Sequence, residues 1–382
     1  MILPKGVVAL GFVSLLMDMS SEAIHALLPL FLIGNLGASA FMVGLIEGLG
    51  EATAQITKLF SGVASDRSGK RKPLAILGYG LSAVTKPLFA LAGGPGAVLT
   101  ARLADRVGKG IRGAPRDALV ADLVPEGMRG AAYGLRQSMD TVGALLGPAL
   151  ALLVMYLTGD VRLVFWLAIL PALAAVAVLA IYVREPETPA APKPRGALTR
   201  ATLQALGRPF WSVVAMGAVL TLARVSEAFL ILKAGSVGLE IALAPVVLIV
   251  FNAVYAASAW PVGVLSDRIG QKGLMIAGFG LLVIADLMLA FATNLPVVLL
   301  GVALWGLHMG MSQGLLAAAV ARHAPEGQRA TAFGAFNLVT GLALLLGNAL
   351  AGALWSLSGP EMTFTVAAGL ASLGLIGMIR RG

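Results

Sequence analysis

The chain is a succession of apolar runs, each about as long as a membrane is thick, separated by short polar breaks. Runs fall at about 6–32, 41–61, 73–93, 97–120, 130–157 and 162–183, then at about 209–233, 241–262, 273–293, 296–320, 330–356 and 362–379. A helix that crosses the hydrocarbon layer needs about 20 mostly apolar residues. Lipid offers no partner to backbone N–H and C=O groups, so each crossing segment must satisfy its own as a helix. An all-α membrane protein of twelve transmembrane helices is therefore expected. Only 12% of the residues are charged and 58% are hydrophobic, against about a quarter charged and half apolar in soluble domains. The opening MILPKGVVALGFVSLLMD runs on past Asp18 to about Leu32 with no small-x-small cleavage pattern, and reads as a retained first helix. REPETPAAPKPRGALTR at 184–200 is rich in Pro and charge and reads as a linker. The expected organisation is a six-helix bundle over 1–183, a linker over 184–208 and a second six-helix bundle over 209–382.

The breaks are asymmetric in charge. One side carries Arg67, Lys70, Arg71, Lys72, Arg129, Arg184, Lys193, Arg195, Arg200, Arg268, Lys272, Arg329, Arg380 and Arg381. The other has Arg162 alone. Basic loops stay in the cytoplasm, which puts both termini and the linker there, in a cell (inner) membrane. The net charge of +9 follows from those loops and needs no nucleic-acid partner. With no cysteine in the chain, disulfides, thiol chemistry and Cys-type zinc sites are excluded. His25, His308 and His323 fall at different depths, so no three-His metal site is expected, and no cofactor.

The two halves repeat. VPEGMRGAAYG at 124–134 recurs as APEGQRATAFG at 324–334, and GVASDRSGK at 62–70 recurs as GVLSDRIGQ at 263–271. Two parallel six-helix repeats are a common plan among secondary transporters. GVASDRSGKRK resembles the loop between helices 2 and 3 of the major facilitator superfamily. The resemblance implies a conformational latch made by Gly62, Asp66, Arg67 and Gly69, with a second copy at Asp267 and Arg268. That copy keeps Gly263 and Gly270 but has Gln271 in place of Lys70. Gly143, Gly147 and Pro148 in MDTVGALLGPALALL resemble the superfamily's antiporter motif, which implies export. A small-residue packing face gives the same pattern.

The stretch RLADRVGKGIRGAPRDALVAD, 102–122, breaks the apolar theme. On a helix turning 100° per residue, its charges from Arg102 to Asp117 fall within an arc of about 140°, opposite Ala104, Val107, Ile111, Ala114 and Ala118. A basic residue facing lipid costs about 2.5–3.5 kcal/mol. Five would cost on the order of 12–17 kcal/mol by the same scale, beyond the total stability of about 5–15 kcal/mol of ordinary proteins. The helix must turn this arc inward. Arg106 followed by Lys109 and Gly110 resembles the superfamily's helix 4 motif, an Arg with Gln-Gly three and four residues on; Lys109 stands for the Gln. The resemblance ties Arg106 to proton coupling. GKGIRG also fits GxGxxG, but no strand precedes it, so a nucleotide site is not expected.

Acids in the first half balance these bases. Asp18, Ser21, Glu22 and His25 share one face of helix 1, and Glu47, Glu51 and Lys58 one face of helix 2. Helix 3 adds Lys86 and helix 5 adds Asp140. Seven acids (Asp18, Glu22, Glu47, Glu51, Asp105, Asp117, Asp140) stand against seven bases (Lys58, Lys86, Arg102, Arg106, Lys109, Arg112, Arg116), a balance that suits a self-satisfying ion-pair network. Burial and neighbouring arginines pull a carboxyl group's proton affinity in opposite directions, so geometry can switch it. Asp18, Glu22, Glu51 and Asp140 are the expected proton sites, with Arg106 as modulator. Arg102, Lys109, Arg112 and His25 are expected to line the substrate path. At an offset of 200, Arg102, Arg106, Lys109, Arg112 and Arg116 become Val302, Gly306, Met309, Ser312 and Leu316, so charge is concentrated in the first half. Arg224 and Glu227 sit three apart and are read as an i,i+3 pair. Asn252, Tyr255, Trp305, His308, Met309 and Asn337 form an apolar, aromatic and polar wall suited to a small organic molecule.

The expected function is proton-coupled export of a small organic molecule by a monomer. Alternatives are carriage of an anionic metabolite on helix 4, export of a cation or metal, a transport-dead sensor, or a membrane enzyme using paired carboxylates. The repeated latch pattern disfavours an enzyme, and no catalytic residues are assigned.

Overall fold

A computed structural model describes residues 3–68, 70–125, 128–185, 200–324 and 329–380. Among these the chain is helical, with no strand. In order the helices are α1 (Lys5–His25), α2 (Leu28–Gly34), α3 (Ala40–Ser68), α4 (Lys72–Leu91), α5 (Pro95–Asp122), α6 (Arg129–Thr158), α7 (Val161–Leu167), α8 (Ile169–Tyr182), α9 (Arg200–Ala205), α10 (Gly207–Ala223), α11 (Glu227–Ser236), α12 (Pro245–Ile269), α13 (Gln271–Phe291), α14 (Leu295–His323) and α15 (Arg329–Arg380).

Among the described residues, nine helical stretches are long and apolar enough to cross a membrane. α3 and α5 are as long, but Glu47 and Glu51 interrupt the first and the charged arc interrupts the second. α15 runs across a kink at Gly359, whose φ of 86° is a left-handed backbone that glycine adopts readily. Most of the linker, residues 186–199, lies outside the described residues, as do Gly69 and the repeated Glu-Gly pairs at 126–127 and 326–327.

Two apolar runs are not single helices. The first breaks at Ala26–Leu27, where Pro29 follows at the start of α2 with no N–H to continue the ladder. The seventh breaks at Arg224–Ser226. There the Ser226 hydroxyl accepts from the Ala228 N–H at 3.3 Å, and the Ser226 N–H donates to Asn348 Oδ1 at 2.8 Å. The i,i+3 reading of Arg224 and Glu227 assumed a continuous helix; the helix breaks between them, while Glu227 still acts electrostatically on Arg224. α3 and α12 also run on beyond their apolar runs, which end at about 61 and 262. Asp66 and Arg67, read as loop residues, belong to α3, and Asp267 and Arg268 to α12.

The chain forms two compact units. One comprises residues 1–37 and 53–194, the other 38–52 and 195–382. In the first, α1 packs along α6 and α8, and α4 packs along α5, α7 and α8. Val7, Leu10, Val13 and Met17 of α1 meet Tyr79 and Ala83 of α4 and Ala172, Ala175 and Leu179 of α8 in its core. In the second, α10 packs along α15, and α14 along α12 and α13. The N-terminal part of α3, up to residue 52, belongs to this second unit. The Phe41 N–H donates to Ser356 Oγ at 3.0 Å, and a side chain on Gly352 would lie 2.7 Å from the Ala40 carbonyl.

Candidate functional site

In the first unit the charged arc of α5 divides between neighbours. One edge meets α4. A methyl group on Gly108 would sit 2.6 Å from Ser82 Oγ and 2.8 Å from the Gly78 carbonyl, so the two backbones are nearly in contact. At that distance short polar groups reach across. Lys86 Nζ donates to Asp105 Oδ1 at 2.9 Å and to Ser21 Oγ at 3.0 Å, with both charged side chains almost fully buried. Arg112 Nη1 donates to Ser82 Oγ at 2.6 Å, and its guanidinium lies 4.8 Å from the centre of the Tyr79 ring, a favourable place for a cation over a π-face. Gly110 packs the same helix against α3, where an added methyl group would sit 2.5 Å from Thr57 Cβ and 2.8 Å from the Ala54 carbonyl. The glycines of GKGIRG are thus packing glycines.

The other edge builds a second cluster. Arg116 donates to Asp117 Oδ1 at 2.9 and 3.1 Å and to Ser14 Oγ at 3.4 Å. Lys58 Nζ lies 3.8 Å from Asp117 Oδ2. Arg136, one turn before Asp140 on α6, bonds Asp140 Oδ2 at 2.5 Å and comes within 4.0 Å of Asp117. The seven-to-seven tally omitted Arg136, which forms a salt bridge with Asp140.

Asp18 and Glu22 lie half-buried on α1. The charged groups that act on Asp18 are Asp140, Arg112, Lys109 and Glu22; those acting on Glu22 are His25, Lys109 and Arg106. His25 is buried, with Nδ1 3.5 Å from Glu22 Oε2. The antiporter-like glycines set this spacing. Gly143 packs on Leu15 and Asp18, and an added methyl group on Gly147 would sit 2.9 Å from Glu22 Cβ. Arg102 and Arg106 are buried and Lys109 is exposed. Glu51 lies on the part of α3 that belongs to the second unit.

The second unit holds a different cluster. His308 Nδ1 sits 2.6 Å from the Gly278 carbonyl, which can only accept. The ring therefore carries its hydrogen on Nδ1 and offers Nε2 as an acceptor. Arg224 Nε donates to that Nε2 at 3.0 Å, Nη1 to Gln313 Oε1 at 3.0 Å and Nη2 to Ser312 Oγ at 2.5 Å. The rings of Trp305, Phe251 and Tyr255 run on from His308 with centroids 5.6–6.1 Å apart. Asn252 is buried, and Met309 and Asn337 are half-buried. Sequence reasoning missed Arg224 as the centre of this cluster. Its signal was the polar series His308, Ser312 and Gln313, which falls on one face of a helix. Of the latch residues, Gly62 is buried, Gly69 lies outside the described residues, and the Asp66, Arg67 and Asp267 side chains do too; Arg268 is exposed.

Two helical units of long apolar helices, one threaded by buried ion pairs, describe a multi-pass membrane protein. The sequence profile of the Major Facilitator Superfamily matches residues 10–232 and 228–381. The chain belongs to that superfamily. It is 35% identical over 370 residues to an MFS-type transporter of Methanocaldococcus jannaschii, covering 95% of this chain and 91% of that one. It is also 29% identical over 136 residues to the multidrug resistance protein MdtH of Yersinia pestis, covering 36% of this chain and 34% of that one. Among solved structures it shares the fold of the nucleoside transporter NupG, with a TM-score of 0.77 at 14% identity over 98% of both chains.

Proposed function

We propose that the protein is a twelve-helix, proton-coupled antiporter that exports a small organic molecule from the cytoplasm by alternating access. It acts as a monomer in the cell membrane with both termini cytoplasmic, and not as an enzyme. The observation that carries this reading is the unequal treatment of acids in the first unit. Asp105, Asp117 and Asp140 are each bonded to a base. Asp18 and Glu22 stay half-buried beside Lys109, Arg112 and Arg106. Carboxylates held near cations, with the titratable imidazole of His25 as the partner of Glu22 at 3.5 Å, can gain and lose protons as helices shift. The similarity to a multidrug resistance protein over part of the chain supports the direction of transport. Asn252, Tyr255, Trp305 and His308 supply the substrate wall, and Asp66, Arg67, Asp267 and Arg268 the latch.

The test is reconstitution in proteoliposomes with a pH-sensitive dye in the lumen. An imposed proton gradient is expected to drive movement of an organic probe such as ethidium or carboxyfluorescein, and the probe's movement to dissipate the gradient. If probes cross at rates that ignore the gradient, proton coupling is wrong. If carboxyfluorescein alone moves and Arg102 or Lys109 substitutions abolish it, the anionic-substrate reading replaces the general one.

A further inference from the structure

A cavity of about 650 Å³ opens on the first unit between the start of α1 and the end of α8. Its length matches one leaflet. From Lys5 to Leu16 the α1 wall rises roughly 16 Å at 1.5 Å per residue, about half of a hydrocarbon layer roughly 30 Å thick. The floor is apolar: Phe12 and Leu16 from α1, Val178 and Ile181 from α8, and Leu123 beyond α5. Phe12 is 47% exposed and Ile181 67%.

The two ends differ chemically. Lys5 at the start of α1 and Tyr182 and Arg184 at the end of α8 line it with polar groups, and Leu16 lies three turns further along α1. Lys5 and Arg184 are both exposed. Their basic neighbours are already engaged: Arg71 pairs with Asp122 at 2.7 Å, and Lys72 Nζ donates to the Ala180 carbonyl at 2.7 Å. Glu185, the acid next to Arg184, accepts from the backbone N–H groups of Arg71 and Lys72 at the start of α4. The groove thus presents two cations at one end, with the adjacent carboxylate turned elsewhere.

Any lipid tail will wet an apolar groove. A pair of cations fixed at headgroup level adds a preference for negative charge. We propose that this groove is a binding site for an anionic phospholipid of the leaflet that Lys5 and Arg184 face, with the phosphate held between them and one acyl chain laid along Phe12, Leu16, Val178 and Ile181. Arg184 can grip two phosphate oxygens at once and Lys5 acts as a point charge. Tyr182 adds an exposed amphipathic ring, of the kind that collects at membrane interfaces. The site is separate from the acids of the transport pathway and does not depend on how they work.

The experiment is native mass spectrometry of the purified protein from micelles holding equal phosphatidylglycerol and phosphatidylcholine. The wild type is expected to retain one phosphatidylglycerol preferentially, less so at high salt. Each basic residue near a membrane surface is worth about fivefold in binding to an anionic lipid. Lys5→Gln with Arg184→Gln should therefore reduce the preference by up to about thirtyfold. Leu16→Trp keeps both cations but fills the groove, and should lower retention as well. Lys272→Gln removes an exposed basic residue of the second unit and should change nothing. The proposal is overturned if the wild type shows no preference, if the double variant keeps it, if Leu16→Trp leaves it intact, or if Lys272→Gln reduces it equally.

Discussion

The buried pair between Lys86 and Asp105 allows a quantitative test of what the charged helix is for. The two groups meet at 2.9 Å, and their side chains are 1% and 5% exposed. Asp105→Leu would leave the Lys86 ammonium bonded to the neutral hydroxyl of Ser21 but without its carboxylate. Removing one member of such a pair costs about 3–5 kcal/mol, because the other charge stays buried without compensation. Lys86→Met should cost a similar amount for the converse reason. The double variant Lys86→Met/Asp105→Leu replaces both charges with apolar groups of comparable size and should come out near neutral, since such replacements in other proteins are often neutral or stabilising. The expected coupling energy is then larger than the roughly 0.5–3 kcal/mol usual for touching residues. Thermal denaturation followed by fluorescence-detected size exclusion on all four proteins measures this directly. Each single variant should melt well below the wild type and the double variant close to it. If the two losses simply add, the pair does not act as a unit and the balanced-network account of this helix is wrong.

Other consequences are sharper in direction than in size. Gly108→Leu should abolish folded protein, because even its first carbon would lie 2.6 Å from Ser82 Oγ and 2.8 Å from a carbonyl, whereas Gly80→Leu, with open space around it, should accumulate normally in the membrane. His308→Leu strips Arg224 of one acceptor at 3.0 Å and should lower stability by about 1–3 kcal/mol, the usual penalty for an unmet buried polar group; His308→Gln should recover part of it. Asn348→Leu should destabilise by a similar amount, about 1–3 kcal/mol, through loss of the 2.8 Å bond from the Ser226 N–H. Both can be read from the same melting assay.

The all-α membrane fold was legible because lipid leaves the backbone no alternative, and runs of about 20 apolar residues declare themselves. The inward turn of the α5 arc was legible for the same reason: charge in lipid is expensive enough to dictate orientation. Pairing was less legible. Periodicity places Asp105 and Arg112 on one face of α5 but does not say that Gly78 and Gly108 bring α4 close enough for Lys86 and Ser82 to meet them. Nor did it separate Arg136 from the basic residues near the helix end, although it lies one turn from Asp140. The break at Arg224 was hidden because Val225 and Ser226 are ordinary helix residues. The N–H of Ser226 at that break is met by Asn348, more than a hundred residues away, which stands where the first half has Pro148.

The central claim is that Asp18 and Glu22 carry the transported protons while the other acids of the first unit hold the bases in place. The most direct measurement compares wild-type protein with Asp18→Asn/Glu22→Gln in proteoliposomes, following a luminal pH dye and the organic probe together. The account predicts that the double variant still exchanges probe down its own gradient but no longer moves protons with it. Proton movement that stays stoichiometric with probe in the double variant would contradict the account.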